Sequence, residues 1–346
     1  LVLYAGFGYD PFYFHMFSLL LHIGCVCLVW KLISSLLRVH GGVSEKQILY
    51  VNFITTLLFA VHPINVEAVA WISALKVLLY AFFYLLGLLC YLRYIRTSKI
   101  FYYVLTIGCF LCSFWGKEQA VTFPLALLIV DWFTNRNMKN LEVWSEKMSF
   151  LIMAFFFGII TVLSQGKGPY EMIFPLYQRL LFGCFALVEY ITKSLLPVNL
   201  NFFYPFPIVL GEEPPLHYYL YPVVLLFLMG WIIAYRNNRY LVFGVLLFLV
   251  NLLFSIHLFN MSRHAIVADR YMYLSYVGIA FLIANGIWWL RKRLSYFKAA
   301  LVFLFFYCFF LSVYTFHYTK KWENTTMVKK YTKEVLEKRL NGSNHL

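Results

Sequence analysis

Asp10, His62, Glu67, Lys117, Glu118, Tyr204, Asp269, Arg270 and Tyr271 are polar or ionisable residues set within or beside long apolar runs. An ionised side chain at a bilayer centre costs about 2.5–3.5 kcal/mol on insertion scales, so each needs a partner or a task. In HPINVEAVAWISALK (62–76) Pro63 breaks the preceding helix, because the residue before a proline avoids the αR region. A new helix can start at Asn65, with Glu67 in the first turn where the dipole favours an anion. The stretch fits a plain helix stop, and equally a break that turns His62 and Glu67 toward a reaction site. WGKE carries Lys117 and Glu118 and reads first as the solvated tip of a tight turn. VADRYMYLSYVG leads Asp269, Arg270, Tyr271 and Tyr273 into an apolar run, with Arg263 and His264 just before it. An Arg fork takes a phosphate bidentately. The same residues also suit an interfacial aromatic belt with an Asp–Arg pair. Tyr204, in NFFYPFP, either covers a groove or lies on headgroups, and Asp131 anchors a helix boundary. GxSxG, Walker, HExxH and dinucleotide fingerprints are absent from the sequence.

The elements that position these residues are membrane helices. Hydrophobic residues make up 62% of 346 and charged residues 13%, about half the charged share of a soluble chain. Mean hydropathy is +0.73. The alternation of an outer-membrane barrel is missing, so the fold class is an all-α polytopic membrane protein. Apolar segments lie at about 12–37, 47–61, 76–95, 100–115, 119–133, 147–164, 179–196, 217–235, 240–259, 271–290 and 298–317. The net charge of +14 reads as the Lys and Arg excess of inner loops, not as a nucleic-acid surface. Seven scattered cysteines form no CxxC pair, which argues against a metal or disulfide framework.

Basic clusters at Lys31–Lys46, Arg93–Lys99, Arg136–Lys139, Arg236–Arg239 and Arg291–Lys298 mark the inner side. The nine candidate residues then fall on the outer side. Eleven crossings cannot leave both ends outside, whereas ten can. Segment 179–196 carries Arg179, Glu189 and Lys193, so it is expected to lie along or dip into the outer surface. Residues 165–216 then form one large outer loop after a bundle of about ten spans. Residues 1–319 form the transmembrane domain, and 320–346 an outer tail with a short helix around 331–340.

Five ordered stretches, YDPFYFHMFSLLLH, FAVHPINVEAVAWIS, GKEQAVTFPLALLIVDW, LLPVNLNFFYPFP and VADRYMYLSYVG, cover nearly the whole chain. Together they resemble the membrane part of the transmembrane-and-tetratricopeptide-repeat (TMTC) proteins and their bacterial relatives. The resemblance implies a GT-C glycosyltransferase bundle. Such enzymes transfer sugar from a polyprenyl- or dolichyl-phosphate on the outer or lumenal side, in the animal members as O-mannosylation of protein Ser or Thr. It implies a bacterial inner membrane or endoplasmic reticulum location, with membrane lipid, lipid-linked donor and acceptor protein as partners and no cofactor beyond the donor. It assigns donor-phosphate or substrate contacts to Arg270, Lys117, His62, Tyr204 and Tyr271, and an organising role to Glu118 and Asp269. One family helix and loop are expected before Leu1, which makes 147–164 the seventh helix, and a repeat region is expected after the tail.

Two departures bear on activity. The family's acidic residue in the first outer loop is expected upstream of Leu1, which leaves Glu67 and Asp10 as the candidate carboxylates. Family members flank Lys76 with Arg and Asp, where this chain has Leu75 and Val77. Two other classes are carried: a transporter or flippase of lipid-linked sugars, which calls for broken helices in paired halves, and a non-catalytic membrane scaffold.

Overall fold

In a computed structural model, residues 2–8, 10–164, 174–257 and 265–343 are described; Arg263, His264 and the first part of the expected outer loop lie outside them. The helices are α1 (Val2–Phe7), α2 (Pro11–His40), α3 (Glu45–Val61), α4 (Val66–Ala70), α5 (Leu75–Thr97), α6 (Ile100–Gly116) and α7 (Phe123–Phe133). There follow α8 (Leu141–Ser164), α9 (Leu176–Leu195), α10 (Leu220–Ala234), α11 (Arg239–Leu252), α12 (Met272–Trp289), α13 (Leu294–Lys320) and α14 (Thr325–Ser343). The described residues contain no strand, only an isolated antiparallel bridge between Tyr204 and Val267. The chain is an all-α polytopic membrane protein.

Among the described residues, six helical stretches are long and apolar enough to cross a membrane, and a seventh if the bent pair 45–61 and 63–70 is one span. α6 and α11 are apolar but shorter. Length and composition therefore support fewer spans than the expected ten. α9 falls outside the spanning set because charged residues interrupt its apolar pattern.

Local signals explain the boundaries. Asp10 caps α2 by accepting the Phe12 N–H at 3.0 Å, and Pro11 occupies the first turn where its missing N–H is harmless. Gly41, with φ 78°, ends α2 in a conformation L side chains rarely adopt. Ser44 caps α3 through the Gln47 N–H at 3.2 Å. Pro63 stops α3 as expected, but a 3-10 turn covers Pro63–Asn65 and α4 begins one residue later, at Val66. The tail helix is longer than the expected 331–340, running Thr325–Ser343. Within segment 240–259, α11 ends at Leu252 and residues 253–257 are not helical.

α2, α3, α5, α7, α11 and α12 enclose the apolar core. Small residues let helices touch where lipid supplies no hydrophobic drive. A Cβ at Gly278 of α12 would lie 2.5 Å from the Gly244 carbonyl and 2.7 Å from the Phe248 amide of α11. Both obstacles are backbone, so Gly278→Ala is expected to destabilise the bundle by about 1–3 kcal/mol or more. A lowered melting temperature in detergent, read by size-exclusion chromatography of heated samples, checks this; an unchanged one refutes the contact.

The end of the bundle that carries the Arg93–Lys99 and Arg136–Lys139 clusters is fastened by charges. Asp131 of α7 and Lys147 of α8 are wholly buried and 2.5 Å apart. Arg136 reaches Asp131 at 3.2 Å and Glu146 at 2.6 Å, and Lys147 reaches Glu146 at 3.0 Å. The Tyr91 hydroxyl of α5 donates to Asp131 at 2.7 Å, and Tyr103 of α6 donates to the Glu146 carbonyl at 2.8 Å. Asp131 does more than mark a helix boundary: it joins α5, α7 and α8. Two carboxylates and two cations balance, which is what burial demands.

Candidate functional site

At the opposite end, the Pro63 break lowers α4 onto the start of α12. Glu67, on α4, has no exposed surface. It accepts the Arg270 backbone N–H at 2.7 Å and forms an ion pair with the Arg270 guanidinium. Glu67 was expected as a dipole-stabilised anion at the outer edge; the structure instead closes it off beneath Arg270. The guanidinium lies 5.2 Å from the Trp71 ring centre and 5.1 Å from that of Tyr271. Lys117 stands 4.4 Å from the same Tyr271 ring. The solvated-tip reading of Lys117 does not hold: it is 5% exposed, because Tyr271, just ahead of α12, covers the turn between α6 and α7. Glu118 beside it is half-buried. The neighbouring Gln119 donates to Ser255 at 2.7 Å, which ties that turn to the end of α11.

Asp269 points the other way. It is fully buried and accepts the Tyr204 hydroxyl at 2.9 and 3.0 Å. Lys193 of α9 donates to the Tyr204 oxygen at 2.5 Å and stands 3.6 Å from Asp269. The Asn201 N–H donates to the same oxygen at 2.6 Å. Burial and the adjacent Asp269 carboxylate push the Tyr204 hydroxyl well above its usual pKa, so it stays a proton donor. The Ile266 N–H donates to the Tyr204 carbonyl at 2.9 Å, and the Ala268 N–H to the Tyr190 hydroxyl at 3.1 Å. Within NFFYPFP the structure divides the work: Phe202 and Phe203 line a cavity, while Tyr204 is buried and bolts the 196–208 loop to α9 and to the turn before α12.

His62 is 1% exposed. Its Nδ1 accepts the Ile64 N–H at 3.2 Å, and its ring lies 4.2 Å from that of Tyr276, below the Glu67–Arg270 pair. Asp10 is exposed at the head of α2. The structure thus gathers Glu67, Arg270, Tyr271 and Lys117 in one cluster, joins Asp269 and Tyr204 in a second through adjacent backbone, and leaves His62 beneath and Asp10 beside them.

A cavity of about 980 Å³ opens next to the first cluster. Trp71 forms part of its floor, with Phe202 set edge-on at 5.1 Å. Pro11 and His15 of α2, Ile72, Ser73 and α14 supply other walls. Sequence reasoning missed Trp71 and Lys193 as site residues. The signal for Lys193 was present, since Glu189 precedes it by one helical turn inside an apolar stretch. Trp71 carried none, for a tryptophan in an apolar run is unremarkable. Among the described residues, no three His, Cys, Asp or Glu side chains come together as a metal site.

No family model matches the chain, and no solved structure does. Curated proteins do. The chain is 28% identical over 153 residues to Protein O-mannosyl-transferase Tmtc3 of Drosophila melanogaster, covering 39% of this chain and 16% of that protein. It is 33% identical over 143 residues to Protein O-mannosyl-transferase TMTC2 of Homo sapiens, again 39% and 16%. With human TMTC1 it shares 29% over 144 residues, 38% of this chain and 15% of that protein. The match thus spans about 16% of the first relatives' length. Through that aligned part, the chain is a homologue of the transmembrane-and-tetratricopeptide-repeat family.

Proposed function

We propose that the chain is a membrane glycosyltransferase that moves a sugar from a polyprenyl- or dolichyl-phosphate to a Ser or Thr hydroxyl of a protein on the outer or lumenal side. The names of its relatives support transfer of mannose to protein. The observation that carries the chemistry is the pair of cations, Arg270 and Lys117, on one aromatic ring, with Arg270 also against Trp71, which lines the cavity. The acceptor hydroxyl attacks the anomeric carbon, and the bond from that carbon to the phosphate oxygen breaks. Negative charge grows on the departing phosphate, where a fixed Arg fork and a second cation stabilise it most. Glu67 holds the fork and is committed to it. The acceptor proton goes to a carboxylate, and of the two candidates Asp10 is the one water reaches, next to the cavity-lining Pro11. Tyr271 carries the two cations on its ring, and Asp269 with Tyr204 fixes the turn from which Arg270 extends.

The outer layer fits the same reading. α9 buries Gln178, Lys193 and Ser194 and exposes Leu176, Leu180 and Leu195, the arrangement of a helix lying at a lipid interface with its polar groups turned to protein. Together with 196–215 this supports the reading of 165–216 as one outer loop.

The test is transfer of radiolabelled mannose by the full chain in lipid nanodiscs. Dolichyl-phosphate mannose is expected to label a Ser/Thr-rich peptide, and GDP-mannose is not. Absence of transfer from every polyprenyl- and dolichyl-phosphate sugar tried, by a folded sample, sinks the proposal in favour of a scaffold.

A further inference from the structure

Apart from Trp71, the outer cavity is built from parts that the cation cluster does not use. One wall is the amphipathic α14, which follows the last apolar helix and presents Lys329, Lys333 and Glu337 to the opening, with Glu323 just before it. Lys333 and Glu337 are exposed and 3.8 Å apart, so both charges face water and are available to a ligand. The floor is aromatic: Trp71, Phe202 and Trp322 pack edge to face, Phe202 lying 5.9 Å from Trp322. α14 is fixed in place, since Thr332 donates to Asn201 at 3.0 Å and Trp322 is buried against the same outer loop.

We infer that this cleft seats an extended segment of the acceptor polypeptide, with α14 as its charge-reading wall. The inference rests on the proposed transfer reaction for its word acceptor, but not for the binding itself. Three features select a polypeptide. At about 980 Å³ the space lies at the upper end of single-ligand pockets. The aromatic floor offers seats for apolar side chains. The rim carries both signs of charge, which suits charged side chains on either side of a neutral hydroxyl and sets Glu323 and Glu337 against an anionic lipid phosphate. The cleft also shares Trp71 with Arg270, so a hydroxyl bound over the floor lies next to the cation that would hold the phosphate.

The experiment uses the full chain in nanodiscs and two fluorescein-labelled dodecapeptides. Both contain Thr and Ser at the centre, one flanked by Asp and the other by Lys. Binding is read by anisotropy, and mannosyl transfer is read separately. Lys329→Glu with Lys333→Glu changes only exposed residues and leaves Arg270, Lys117 and Glu67 untouched. It is expected to weaken the Asp-flanked peptide about tenfold and to tighten the Lys-flanked one, as like and opposite charges at a rim do, with the same change in KM and an unaltered kcat. Equal binding of both peptides by variant and wild type overturns the inference, as does absence of binding to the wild type. Peptide binding without any transfer supports the cleft and defeats the transferase reading; transfer whose KM ignores the charge reversal does the opposite.

Discussion

Arg270→Ala is expected to lower stability by about 3–5 kcal/mol, the penalty for leaving one member of a buried ion pair alone, and to reduce sugar transfer at least about a hundredfold. The stability loss follows from Glu67, which has no exposed surface and would keep a carboxylate facing an empty space. The transfer loss follows only if the guanidinium also meets the leaving phosphate. Glu67→Gln combined with Arg270→Ala separates the two. A neutral amide needs no cation, so the double variant regains most of the melting temperature while transfer stays lost. Recovery of transfer together with stability makes Arg270 a strut and removes it from phosphate binding. Arg270→Lys adds a finer comparison, because it keeps the charge and loses the planar fork.

The second large effect lies at the other end of the bundle. Asp131→Ala leaves Lys147, which is wholly buried, to share Glu146 with Arg136, so one positive charge is uncompensated, and it removes the nearest acceptor of the Tyr91 hydroxyl. A loss of about 3–5 kcal/mol is expected, seen as a fall in melting temperature and in yield of monodisperse protein. Asp131→Ala with Lys147→Met replaces both charges by apolar groups and is expected to recover most of that loss, since such swaps are often near neutral. Transfer per folded molecule is expected to match the parent in the double variant, because this network fastens inner loops and touches no outer residue. A double variant as unstable as the single one would show that Asp131 acts through Arg136 alone.

Much of this architecture is written along the chain. Every apolar segment became a helix, and Asp10–Pro11 and Pro63 mark a start and a stop within a residue or so, because caps and proline act through neighbours only. The site was legible as residue types and not as pairs. Glu67 and Arg270 could each be singled out as ionisable groups in apolar company, but their union depends on α4 folding onto α12. Lys117 was misjudged for the same reason: a WGKE turn looks solvated until Tyr271, from far along the chain, covers it. Lys193 counted as a reason to keep α9 out of the membrane, and the structure gives it a second duty beside Asp269. The inner network escaped notice because its members sit near basic loop residues, where charge is expected and pairing leaves no local trace.

The spacing of these pairs along the chain sets an order in time. In a chain inserted as it is synthesised, Lys147 follows Tyr91 by 56 residues, a wait of about 3–11 s at about 5–20 residues per second. Arg270 follows Glu67 by 203 residues, about 10–40 s at the same pace. The inner end is therefore neutralised early, while Glu67 stays an uncompensated carboxylate through the insertion of α5 to α11. Until then Glu67 has to wait in water, protonated, or in the care of another protein, so the bent α3–α4 segment is the last part of the early chain to settle, and this site closes only when α12 arrives.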